Sequence, residues 1–156
     1  MSNPKARGEE TDSKEESTGQ DLTDDTVELR LPPKTQYLPV LRAATGVVAG
    51  TLSFNYDEIL QLRVAVSEAF GLAIRHLKES QESTAITTLS VHFIVGSNEL
   101  EILVTDPGTG PSPVEGAEDG ESRAVLECLL DRVEFGVEAA GARVIRMVKR
   151  NSGERV

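Results

Sequence analysis

The chain has 156 residues and a mass of 16.8 kDa, enough for one domain around a single core. With no Trp, four Phe and two Tyr, that core must be built from Val, Leu, Ile and Ala. A net charge of −10 and a pI near 4.7 argue against duplex nucleic acid and anionic membrane as main ligands, because both attract clustered positive charge; a protein partner suits the chain better.

Residues 1–25 carry eight acids against three bases, half of the net charge, and their only large apolar side chains are Met1 and Leu22. Such a segment cannot bury enough surface to offset the entropy of ordering it, so a disordered acidic tail is expected. The N-terminus lacks a basic start followed by an apolar stretch, and no run is long enough to cross a bilayer, so neither a secretory leader nor a membrane span is expected. A lone Cys128 excludes an intramolecular disulfide and fits a reducing cytoplasm; among Val125, Leu126, Leu129 and Leu130 it reads as a buried small apolar residue.

Val27, Leu29 and Leu31 alternate with Glu28 and Arg30, which predicts a strand stopped by Pro32 and Pro33. Leu38, Leu41, Thr45 and Val48 recur at helical spacing, with Pro39 tolerable only in the first turn. Asn55 followed by Glu58 predicts a reciprocal cap opening a second helix that runs to about Lys78. At about 100° per residue, Ile59, Leu62, Val66, Ala69, Phe70, Ala73 and Leu77 form its core stripe, and Glu68 and Leu72 fall on a different face.

Leu89 to Val95 and Leu100 to Val104 alternate on either side of Gly96-Ser97-Asn98 and predict a hairpin. Asp106-Pro107-Gly108-Thr109-Gly110-Pro111 and the acidic stretch to Glu121 predict a loop, and Ala124 to Leu130 a short helix. Val133 to Val137 and Ala142 to Val148 then form two strands around Ala139-Ala140-Gly141. This order predicts an α/β two-layer sandwich (α+β) over 26–150, with a mixed, mostly antiparallel sheet, helices on one face, and a short C-terminal tail over 151–156.

The runs Val27 to Lys34 (VELRLPPK), Tyr37 to Arg42 (YLPVLR), Tyr56 to Ile59 (YDEI) and Ala65 to Ala69 (AVSEA) resemble the anti-sigma factor serine kinases of the RsbW and SpoIIAB kind, in the GHKL (Bergerat-type) ATPase superfamily. The resemblance covers residues 26–150. It implies capture of a sigma factor and phosphorylation, with ATP and magnesium, of a serine on a STAS-type anti-anti-sigma protein. The family often dimerises, and no residue pattern here fixes an interface.

The resemblance assigns roles one residue at a time. Glu68 stands where the family has the carboxylate that orients or deprotonates the attacking hydroxyl. The family's magnesium-binding Asn is Leu72, which supplies no oxygen. Asp106, Gly108 and Gly110 match the Asp-x-Gly-x-Gly loop whose Asp accepts a hydrogen bond from adenine. Gly120 matches one glycine of the phosphate segment; the second is Ser122, and Asp119 and Glu121 add negative charge beside it. A late Gly-Thr pair is Gly141-Ala142, and Arg143, pointing the other way on its strand, is not taken as a replacement.

Without the resemblance, Glu68 reads as a solvated helical carboxylate, and Asp106-Pro107-Gly108 as an ordinary turn. His76 reads as a partly exposed polar residue that makes no metal pair with His92, and Arg42, Arg63 and Arg75 as solubilising surface charge or contacts for an acidic partner. The combined reading is a regulator of bacterial partner switching that binds a sigma factor and/or an anti-anti-sigma protein, with ATP binding and kinase activity weak or lost. The alternatives are an active serine kinase, and a sensor holding a small apolar ligand between Leu72 and Asp106.

Overall fold

The computed structural model describes residues 24–80, 88–107 and 117–153. The acidic segment over 1–23 and the loop carrying Gly108 and Gly110 lie outside the described residues. Among the described residues, five strands and three helices follow in the order β1 (Asp25–Leu31), α1 (Leu38–Gly50), α2 (Tyr56–Ser80), β2 (Leu89–Val95), β3 (Glu99–Asp106), α3 (Ala117–Leu129), β4 (Arg132–Val137) and β5 (Arg143–Arg150), with a short 3-10 turn over Thr35–Tyr37. The sheet order is β1-β2-β3-β5-β4. All four neighbouring pairs run antiparallel, where the sequence left room for a mixed sheet.

The sheet's alternation sets one face against the helices. Leu89, Val91 and Phe93 of β2, Leu100, Ile102 and Val104 of β3, and Ile145 and Met147 of β5 are buried. They are in register across the ladder, Val91 opposite Val104 and Val104 opposite Ile145. Burying these side chains contributes about 1.5–3 kcal/mol each, the main favourable term for a chain poor in aromatics. Gly141 closes the β4–β5 hairpin with φ of 94°, a left-handed conformation that a β-branched residue resists.

Helix α2 begins as its cap predicts. The Asn55 amide donates to Glu58 Oε2 at 2.8 Å, and the Glu58 amide donates to Asn55 Oδ1 at 2.8 Å. The Ser152 amide donates to the other oxygen, Glu58 Oε1, at 2.8 Å, so one carboxylate ties the C-terminal end of the fold to the start of α2. Replacing Glu58 by Ala should therefore cost about 1–2 kcal/mol, more than a simple cap, seen as a lower urea midpoint with an unchanged slope.

Along α2 the predicted stripe is the core face: Leu62, Val66, Ala69, Phe70 and Ala73 are buried, with Ile59 and Leu77 partly so. Burial extends beyond it, to Ala65, Leu72, Ile74 and His76. The cause is that α2 packs between α1 and α3 as well as against the sheet. Leu72 is thus fully buried within the same hydrophobic core as the stripe, not on a separate face open to a cleft.

Two further expectations are corrected. The loop expected up to Glu121 ends earlier, because α3 starts at Ala117. Asp119 then lies in the first turn, where a carboxylate complements the helix dipole. Cys128 is exposed, not buried. The inward side of α3 carries Ser122, Leu126 and, just past its end, Leu130; Cys128, two residues beyond Leu126, is turned about 200° away from it.

Candidate functional site

The residues singled out by sequence come from four elements that meet at one end of the sheet. Helix α2 presents Glu68, Leu72, Arg75 and His76, all within about two turns of helix. Strand β3 ends at Asp106, β5 begins at Arg143, and α3 brings Asp119, Gly120 and Ser122.

Polar contacts bind α3 to α2 across this space. The Ser122 hydroxyl donates to Glu68 Oε1 at 2.6 Å, and Arg75 Nη2 donates to Ser122 Oγ at 2.8 Å. Ser122 is buried. One turn earlier on α3, Asp119 Oδ2 lies 3.0 Å from His76 Nε2. His76 is 5 % exposed, so it is an internal partner for α3, not the partly exposed residue expected. Arg123 adds a contact on the far side of the helix, its guanidinium 5.0 Å from the centre of the Phe135 ring on β4.

The arginines expected as surface charge each make a hydrogen bond within the chain, those of Arg42 and Arg63 at the surface and that of Arg75 partly buried. Arg75 serves Ser122, Arg42 Nε donates to Ser67 Oγ at 2.8 Å, and Arg63 Nε donates to the Arg42 carbonyl at 3.2 Å. What remains open beside Glu68 is a shallow recess of about 320 Å³ lined by Glu68, Arg75, Glu121, Ser122 and Val125. Gly120 has open space around its α-carbon, and its place in the first turns of α3 makes it a helical residue and not part of a glycine loop.

At the strand ends the side chains form a different constellation. Asp106 and Arg143 face each other in register, and Arg143 Nη2 donates to Asp106 Oδ2 at 2.7 Å. The pair is nearly sealed, with Asp106 2 % and Arg143 7 % exposed. The space next to it, lined by Ala73, His76, Val104, Asp106, Arg143 and Ile145, measures about 10 Å³, room for a single water. Arg143 went unrecognised in the sequence, although its signal is there. It shares parity with Ile145 and Met147, the inward positions of β5, just as Asp106 shares parity with Leu100, Ile102 and Val104.

The fit of a magnesium nucleotide to these groups can be read from the same contacts. A hard cation requires oxygen ligands, and position 72 offers a buried alkyl group. Among the described residues no group of three or more His, Cys, Asp and Glu is placed to hold a metal ion. The Glu68 and Asp106 carboxylates each already receive a hydrogen bond from a side chain of this protein. Position 72 therefore supplies no ligand for a magnesium ion of the kind the resemblance implies.

No helix among the described residues is long and apolar enough to cross a membrane. The sequence profile of the histidine kinase-like ATPase domain matches residues 31–149. Among curated proteins, the serine-protein kinase RsbW of Bacillus pumilus is 29% identical over 150 residues, which cover 86% of this chain and 91% of that one. The serine-protein kinase RsbW of Oceanobacillus iheyensis is 32% identical over 127 residues, 71% of this chain and 78% of that one. Among solved structures, the RsbU and RsbW domains of a Mycobacterium tuberculosis protein superpose with a TM-score of 0.60 at 16% identity, covering 81% of this chain and 32% of the larger one; that likeness concerns the fold. With the profile spanning most of the chain and a 32% identical RsbW covered over 78% of its length, the chain belongs to the histidine kinase-like ATPase family, on its RsbW branch.

Proposed function

We propose that this protein is an RsbW-like regulator that works by binding, holding a sigma factor and/or a STAS-type anti-anti-sigma protein, with ATP use and kinase activity weak or lost. The observation that carries this reading is the state of the Glu68 site. The carboxylate that would orient an attacking hydroxyl already accepts a hydrogen bond from Ser122 at 2.6 Å, and the position one turn along the helix is a fully buried leucine.

Phosphoryl transfer depends on positioning and on neutralising charge around the transferred group. A site lacking a metal ligand, with carboxylates of Asp119 and Glu121 on the neighbouring helix, supplies little of either. Asp106, Gly108, Gly110 and Gly120 belong to the same proposal as remnants of nucleotide recognition. In this reading the binding surface persists while turnover does not, so partner capture proceeds without nucleotide.

Titration of the full chain with ATP by calorimetry, with and without magnesium, tests this. The expected result is no saturable heat below millimolar ATP, together with capture of the sigma factor or STAS-type partner at an affinity that ATP and magnesium leave unchanged. Magnesium-dependent binding in the micromolar range, with phosphate transferred to a serine of the STAS-type partner, would instead establish an active kinase.

A further inference from the structure

Resting on the proposal that Asp106 is the base-recognising carboxylate, we infer that Arg143 closes the base pocket from within, and that this one side chain is sufficient to exclude adenine. The guanidinium donates to Asp106 Oδ2 at 2.7 Å, and so competes for the carboxylate that an adenine amino group would need. A charged donor on a carboxylate makes a stronger hydrogen bond than a neutral amine does, and here both groups are out of water. The exchange of one donor for the other is therefore unfavourable.

Space gives a second, independent argument. An adenine ring needs a slot between the strand ends and α2, and the space there, lined by Ala73, His76, Val104, Asp106, Arg143 and Ile145, measures only about 10 Å³. A third observation shows that the arginine is not there for a perfect fit. Its Nε is buried and has no hydrogen-bond partner among the described residues.

The cross-strand register makes the closure local. Asp106 and Arg143 are direct partners on adjacent strands, so the pairing of β3 with β5 itself sets the guanidinium against the carboxylate. Displacing it means breaking a buried ion pair, which weakens adenine binding on the order of 100-fold.

The test uses adenosine, which has no phosphates and reports on the base pocket independently of the Glu68 site. Arg143→Ala and Arg143→Ser are prepared in the full chain and checked for folding by circular dichroism. Serine leaves a hydroxyl to support the Asp106 carboxylate should alanine prove too destabilising. Either folded variant is expected to bind adenosine at least 10-fold more tightly than the wild-type chain, and the gain is expected to vanish when Asp106→Asn is added. No gain in a folded variant, or a gain that survives Asp106→Asn, overturns the proposal. The wild-type chain supplies a readout that does not depend on the variants folding. Its buried Arg143 guanidinium protons should keep their NMR shifts in millimolar adenosine, and adenosine-induced shifts would mean that the base displaces the arginine. Phosphate transfer by the wild-type chain would overturn the proposed loss of kinase activity, whereas the adenosine affinities alone decide the role of Arg143.

Discussion

Replacing Arg143 by Met is expected to lower the unfolding free energy by about 3–5 kcal/mol, a large share of the stability of a domain this size. The loss arises less from the missing hydrogen bond than from what stays behind: the Asp106 side chain, 2 % exposed, would lose the cation that faces it in a nearly dry site. Methionine fills much of the same volume, so a cavity contributes little and the electrostatic part dominates. The double variant Arg143→Met/Asp106→Asn removes both charges and should recover at least half of the loss. Urea denaturation of the wild type, the two single variants and the double variant measures this as a coupling energy of about 1.5–3 kcal/mol. A coupling below about 0.5 kcal/mol would mean that the two groups are solvated and the pair is a minor contact.

The second large effect concerns Leu72. If position 72 lined an open nucleotide cleft, Leu72→Asn would be tolerated and would restore an oxygen ligand. Its place in the buried core predicts the opposite outcome. The substitution removes apolar surface, leaves a partial void and buries an amide without a designed partner, for an expected loss of about 3–5 kcal/mol. The melting midpoint should fall by about 10 °C, without any gain in magnesium-dependent ATP binding. Leu72→Met, which conserves volume, should cost less than about 1.5 kcal/mol. An unchanged melting midpoint for Leu72→Asn would show that the side chain meets solvent, and the metal argument would have to be reopened.

These two residues also mark where local pattern stops being informative. Leu72 falls outside the apolar stripe of α2 when the helix is projected alone, yet it is buried because α2 is covered by α1, by α3 and by the sheet. A hydrophobic stripe identifies the face against one neighbour, and a helix with three neighbours buries more than one face. Cys128 was misread because its apolar neighbours in sequence lie on the inward side of α3, from which Cys128 is turned away, and the start of α3 was placed too late. A charged stretch with one glycine looks like a loop in isolation, whereas its acids suit a helix N-terminus and its Ser122 and Asp119 find partners on α2.

Much of the architecture was nevertheless legible in the amino-acid order. The Asn55–Glu58 cap, the two hairpins, the stop at Pro32-Pro33 and the alternation of β2, β3 and β5 depend on neighbours within a few residues. Short-range sterics and hydrogen bonding settle such features before any packing occurs. The candidate site depends on meetings between residues far apart in sequence. Ser122 reaches Glu68 across 54 positions and Arg143 reaches Asp106 across 37. Local periodicity can say that Arg143 faces inward. That it faces a carboxylate follows only once β3 and β5 are paired in one register, and that the pair is sealed follows only once α2 lies over it, because charge complementarity and desolvation are properties of the packed structure.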